Sequence, residues 1–222
     1  YVRRVNFKGN TRTRDEVLRR EMRQMEAAWA SSTKIERSKT RMERLGYFQE
    51  VNVETPAVPG TSDQIDVNYS VVEKSSGNIM AGVGYSQLQG IIFNANVTQD
   101  NVFGTGKRVA FNFNNSRINT IYQASYLNPY TTLDGVSSGF DIAYRKTDAY
   151  VINLANYSTD TGQVGGNLGI PLSEFDSLRF NLDYNYTNVK TSDSSSQQIL
   201  DYIHHYTKSD TESSYGYSYI PV

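Results

Sequence analysis

From Asn78 onward the chain alternates apolar and polar residues with a period of two, through most of its remaining length. Ile91, Phe93, Ala95 and Val97 interleave with Ile92, Asn94, Asn96 and Thr98. Val109, Phe111 and Phe113 interleave with Arg108, Ala110, Asn112 and Asn114. Phe140, Ile142 and Tyr144 interleave with Asp141, Ala143 and Arg145, and Leu178 to Tyr186 repeats the pattern with Arg179, Asn181, Asp183 and Asn185. A period of two puts successive side chains on opposite faces of a strand, so this region is a sheet with one apolar and one wet face. The wet side is rich in Asn and Asp rather than Lys and Glu. Both an antiparallel membrane barrel and a soluble sandwich satisfy that pattern.

The spacing predicts strands near 78–86, 90–100, 107–115, 120–128, 136–146, 161–170 and 178–189, and Tyr215, Tyr217 and Tyr219 begin an eighth. The second, fourth and sixth connections are compact: Asn101–Gly106, Pro129–Gly135 and Pro171–Ser177. The later opposite connections are long, running through Thr147–Asp160 and through the polar stretch from Lys190, where Ser192–Ser196 and Thr207–Ser214 read as loop. Short turns at one end and long loops at the other are the habit of outer-membrane barrels. No run of 18 apolar residues exists, which excludes a membrane-spanning helix and leaves a barrel open. The 222 residues contain no cysteine, so disulfides and thiolate metal sites are excluded.

Residues 1–74 differ in kind. They hold only 3 of the 17 tyrosines and 3 of the 16 glycines, while carrying most of the basic residues. Neither part is basic enough to suggest nucleic acid. Val5 and Phe7 mark a short strand ended by Gly9-Asn10. Thr13-Arg14-Asp15-Glu16 has capping-box spacing. The expected helix places Leu18, Met22, Met25 and Trp29 on one apolar stripe, leaving Arg19, Arg20, Arg23 and Glu26 facing solvent or a partner. Ser32 or Thr33 caps a second helix with Ile35, Met42 and Leu45 inward, and Gly46 ends it. Val51 and Val53, then Ile65, Val67, Tyr69 and Val71, form two more strands around a Pro59-Gly60 turn. The order β-α-α-β-β is a small α+β domain.

That order resembles a polypeptide-transport-associated (POTRA) domain. The segments Tyr1-Val2-Arg3-Arg4, Phe7-Lys8-Gly9-Asn10, Val17 to Glu26 and Arg44-Leu45-Gly46-Tyr47-Phe48 are similar to the last POTRA domain of the BamA family, the outer-membrane β-barrel assembly factors of Gram-negative bacteria. The similarity continues through Gly82-Val83-Gly84-Tyr85, Gln99-Asp100-Asn101, Gly104-Thr105-Gly106, Asn128-Pro129-Tyr130, Asp134 to Ser137 and Ser177-Leu178-Arg179, and it fades beyond Asp193. The resemblance implies a POTRA domain over residues 1–74 and, over 75–222, the first half of a transmembrane barrel of seven or eight antiparallel strands. A chain starting at Tyr1, inside a strand, is expected to be a processed or excised piece.

The resemblance further implies a non-enzymatic role, folding and inserting β-barrel clients at the outer membrane, with the POTRA domain in the periplasm and no cofactor. The implied partners are the outer-membrane bilayer, unfolded client proteins and the accessory lipoproteins of the BAM complex. For the last of these, Arg19, Arg20, Arg23 and Glu26 are the docking candidates; a solvated helix face with weak ion pairs is the competing reading. Strand one, Asn78, Ile79, Met80, Ala81, Gly82, Val83, Gly84, Tyr85 and Ser86, is the expected edge on which clients pair. Its two glycines are expected to weaken packing at the seam. A related POTRA-barrel translocator that secretes a passenger is the alternative; a passive porin would carry no POTRA domain.

No catalytic chemistry emerges. Gly82-Val83-Gly84 lacks the third glycine and following helix of a dinucleotide fingerprint. Gly104-Thr105-Gly106-Lys107 lacks the spacing of a phosphate-binding loop and enters a strand. His204 and His205 are the only histidines. Adjacent on an extended chain, they would face opposite sides, and they are read as loop residues.

Overall fold

The computed structural model describes residues 1–148, 157–173, 176–191, 197–208 and 214–221. The chain divides into two compact units, Tyr1–Gly77 with Gln99–Arg108, and Asn78–Thr98 with Val109–Val222.

The first unit is a three-stranded sheet with its helices. Its elements are β1 (Val2–Lys8), α1 (Asp15–Arg19), α2 (Ser32–Arg44), β2 (Phe48–Glu54) and β3 (Ile65–Glu73). β3 lies in the middle, parallel to β1 and antiparallel to β2. Its alternation turns Val67, Tyr69 and Val71 into a core with Val2, Val5, Val17, Leu18, Ile35 and Met42. Each such side chain fully withdrawn from water contributes about 1.5–3 kcal/mol. The buried Tyr69 hydroxyl is satisfied by donating to the Ile35 carbonyl at 3.2 Å. Ser31 rather than Ser32 or Thr33 caps α2, its hydroxyl accepting from the Lys34 amide at 3.5 Å.

The expected long first helix is not formed. α1 is five residues, and Arg14, its N-cap, makes no side-chain cap. Thr13 is buried and serves other partners. Met22 is buried as expected, but Met25 and Trp29 are 60% and 74% exposed. The reason is Gln24. Its buried side chain donates to the Met25 and Trp29 carbonyls, both at 3.1 Å, and accepts from the Ser31 amide at 3.0 Å. The Ser38 hydroxyl accepts from the Arg23 amide at 2.8 Å. Ala27, in a left-handed conformation, and Ala28 pair with the backbone of Val2. A folded loop thus meets the polar groups that a helix would have met internally.

The segment Thr11–Thr13 is tied to β3 by Glu73. Its carboxylate accepts from the Thr11 hydroxyl at 3.0 Å and from the Arg12 and Thr13 amides at 3.0 and 2.7 Å. Burial pushes this carboxyl up, but the hydrogen bonds outweigh it and hold it below the usual glutamate value of 4.5. A folded-state pKa below the unfolded one stabilises fully above the unfolded value, and the gain fades as pH falls through the folded value. Amide-exchange protection of Arg12 and Thr13 should therefore hold down to about the ordinary carboxylate range and drop below it. Glu73→Gln should lower protection at neutral pH and flatten the dependence; an unchanged acid response in that variant would locate the effect elsewhere.

The second unit is an eight-stranded antiparallel meander, with neighbours in sequence order from β4 to β11. The strands are β4 (Gly77–Ser86), β5 (Gly90–Gln99), β6 (Arg108–Asn115), β7 (Asn119–Asn128), β8 (Ser137–Asp148), β9 (Tyr157–Pro171), β10 (Ser177–Thr191) and β11 (Ser214–Tyr219). The expected strands are present, several longer than the alternation showed. Gln197–Thr207, expected to be irregular, is a helix, α3. His204 and His205 lie on it, a correction to the loop reading. Ser192–Ser196 and much of Thr147–Asp160 lie outside the described residues. No described helix is long and apolar enough to cross a membrane, which says nothing of crossing by strands.

Register sorts the side chains into levels. On one face Phe140, Gly166 and Leu182 lie side by side, followed by Ile142, Val164 and Tyr184, then Tyr144, Gly162 and Tyr186, then Lys146, Asp160 and Asn188. The face passes from apolar levels to a tyrosine level to a polar and charged one along the strands. Eight residues separate the Leu178–Ile170 pair from the Tyr186–Gly162 pair. That is roughly 27 Å of strand at about 3.4 Å per residue, or roughly 20 Å after barrel tilt, close to the apolar band of about 25 Å in outer-membrane barrels. The other face carries Asn167 with Asn181, Asp141 with Asp183, and Gln163 with Asn185.

Candidate functional site

In the eight-stranded sheet β4 is an edge, hydrogen-bonded on one side to β5. Its apolar side is open: Ile79, Val83 and Tyr85 are 78%, 71% and 76% exposed. Ala81 shares that face by alternation, and Met80 is exposed on the other. An edge strand presents N–H and C=O groups that an incoming strand can pair.

The two glycines of this strand play different parts. At Gly84 a Cβ would meet nothing within 4 Å. At Gly82 a Cβ would lie 2.7 Å from Oδ1 of Asn94, so the Asn94 amide occupies the space that a side chain would fill. Gly84 is thus uncovered, as are Gly162 and Gly166 of β9. Gly82 is instead covered from the neighbouring strand, a role that alternation alone did not disclose. Asn96 donates to Asn112 on β6, so the polar face beside the edge is a run of interlocking amides.

The candidate docking residues of the first unit are not on one helix face. Arg20 is a correction: its side chain is only 14% exposed and its Nε lies 3.9 Å from the buried Glu21 carboxylate, which Arg41 also approaches at 2.8 Å. Arg19 is exposed but engaged, with its guanidinium 5.3 Å from the Phe7 ring centre and its Nη2 donating to the Val5 carbonyl at 3.4 Å. Arg23 is half-buried and donates from Nη1 to the Met22 carbonyl at 3.2 Å. Glu26 accepts from the Val5 amide at 2.9 Å and stands 3.6 Å from Arg19. Glu26 therefore closes the edge of β1 as well as presenting charge. Sequence spacing missed this, because the pairing depends on the turn made by Gln24 and Ala27.

Among the described residues no group of His, Cys, Asp and Glu could hold a metal ion. Asp141 and Asp183 converge over Gly165, where a Cβ would collide with both carboxylates. They form a polar rung of the wet face.

Residues 1–74 match the POTRA model, described as a surface antigen variable number repeat, and residues 101–220 match the Omp85 superfamily domain. The outer membrane protein assembly factor BamA of Neisseria meningitidis is 37% identical over 95% of this chain, and that of Buchnera aphidicola 28% over 87%. The chain spans about a quarter to a third of the length of these curated relatives, 27% and 31% respectively. The crystal structure of BamA from Haemophilus ducreyi lacking POTRA domains 1–3 superposes with a TM-score of 0.77 at 33% identity, covering 99% of this chain and 42% of that one. CdiB from Acinetobacter baumannii shares the fold, with a TM-score of 0.58 at 13% identity. The eight strands are consistent with an incomplete barrel of that kind, and the chain belongs to the Omp85 superfamily, with BamA assembly factors as its homologues.

Proposed function

We propose that this chain is the membrane-proximal POTRA domain and the first barrel strands of an outer-membrane assembly factor, and that β4 is the edge on which client strands pair. The homology places it in the bacterial outer membrane with the POTRA domain in the periplasm. The observation that supports the reading is the weak packing of β4, the first strand of the sheet, at Gly84, where a Cβ would meet nothing within 4 Å. Each backbone polar group left unpaired in hydrocarbon costs several kcal/mol, so a client strand that satisfies β4 gains that energy as it folds. No nucleotide or cofactor is required by such a mechanism. The implied partners are the bilayer, unfolded β-barrel clients and accessory lipoproteins, the last meeting the first unit around Arg19, Arg23 and Glu26. The full-length protein in phosphatidylcholine liposomes should accelerate insertion of a urea-unfolded β-barrel client over empty liposomes. No acceleration, with ion conduction and passenger export instead, would favour the secretion-translocator reading.

The same reading assigns the faces of the sheet. Val109, Phe111, Phe113, Phe180, Leu182 and Tyr184 should face lipid, and Asn112, Asn181 and Asp183 the lumen. Spin labels at Phe111 and Asn112 in the intact barrel should differ in collision with a lipid-soluble quencher, the first much the stronger. Equal collision would remove the assignment.

A further inference from the structure

Residues Gln99–Arg108 turn the chain from β5 into β6, yet they pack with the first unit rather than with the sheet they connect. The contacts centre on Asn101, which is 8% exposed and left-handed at φ 56°. Its Nδ2 donates to the Thr13 hydroxyl at 2.8 Å, and its Oδ1 accepts from the Gly106 amide at 2.8 Å. The Arg14 amide donates to the Gly104 carbonyl at 3.0 Å, and the Tyr47 hydroxyl to the Gly106 carbonyl at 3.2 Å. Gly104 and Gly106 also have positive φ, and a Cβ there would collide with the Arg12 carbonyl and the Arg20 guanidinium respectively. The Asp100 amide donates to the Ser76 carbonyl at 2.9 Å, at the base of β4.

The chain therefore crosses between the two units at 77–78, at 98–99 and at 108–109. We propose that Asn101 is a positioning residue, whose two amide bonds hold the β5–β6 turn within the first unit in the conformation that client insertion needs. The residue type fits the task. The site needs a left-handed backbone, a donor and an acceptor together, and asparagine tolerates that conformation while its amide supplies both. The functional arm rests on the assembly reading proposed above.

The test uses the full-length protein in phosphatidylcholine liposomes. Asn101→Gly keeps the left-handed backbone and loses both amide bonds. Amide exchange at Gly106 and Arg14 should then quicken by roughly tenfold or more, as expected for local release of a turn, and client insertion should slow several-fold. The exchange of Val67 and Tyr69 in the core should not change. Asn101→Asp still accepts from Gly106 and from the Thr13 hydroxyl, so it should recover most of both. Should Asn101→Gly fail to fold, Thr13→Val removes one of the two bonds and should give the same changes more weakly. Unchanged exchange would mean that the amide is not the tie. Faster exchange with unchanged insertion would mean that the tie is not used. If the unaltered protein inserts no client, the assembly reading fails, and the exchange arm still decides whether the tie exists.

Discussion

Single cysteines placed along Asn78–Ser86 of the full-length protein should cross-link a stalled β-barrel client in a register that steps with position. Cysteines along Leu178–Tyr186 should not. The contrast follows from sheet position. β10 is paired on both sides, to β9 and to β11, so its backbone has nothing to offer a newcomer. β4 is the first strand of the sheet, paired to β5, and in a closed barrel its other side is the seam. It is also a poorer pairing partner than β8 or β10, because Gly84 has no side chain to pack across a neighbour as Phe140, Tyr144 or Tyr186 can. A disulfide joining β4 to the strand that closes the barrel should abolish client insertion, and reduction should restore it. Full activity with that seam locked would overturn the mechanism and leave the fold untouched; equal cross-linking at β10 would show that the edge has no special role.

Glu26→Lys should weaken accessory-lipoprotein binding and also destabilise the first unit. The carboxylate caps the Val5 amide at 2.9 Å and stands 3.6 Å from Arg19. Lysine would leave that amide without its acceptor, at a cost of about 1–3 kcal/mol, and set two cations together. Glu26→Gln separates the effects, since its amide oxygen still accepts from Val5 while the charge is gone. The expected result is near-normal thermal stability for Glu26→Gln with reduced co-purification of the lipoproteins. Normal co-purification in both variants would return Glu26 to a purely structural role at the edge of β1.

The strands were legible because alternation is a local signal, and each side chain reports its own face. Phe140, Ile142 and Tyr144 needed no knowledge of their partners to be placed together. Their extension to Asp148, and that of β9 back to Tyr157, was not legible, since polar residues at a strand's end look like loop. α1 was over-read for the opposite reason. Leu18, Met22, Met25 and Trp29 have helical spacing, but the stripe is cut by Gln24, whose side chain bonds the loop carbonyls from a buried position. Nothing in its identity distinguishes it from a solvated glutamine. α3 lacked a caps-and-stripe pattern strong enough to outweigh its serine-rich approach, although Ile203 is completely buried in the structure. Of the candidate site, β4 was legible as a strand from position and alternation. The packing of Asn101 and Arg20 within the first unit is a tertiary arrangement between residues far apart in the chain, beyond the reach of spacing.

The Asn94 amide lying over Gly82 has an evolutionary consequence. These two positions share one volume on adjacent strands, so change at one bears on the other. A side chain gained at position 82 would displace the Asn94 amide or be matched by a smaller residue at 94, whereas at position 84 a Cβ would meet nothing within 4 Å. Across relatives, sequence change at 82 and 94 should be correlated, and change at 84 should be independent of both.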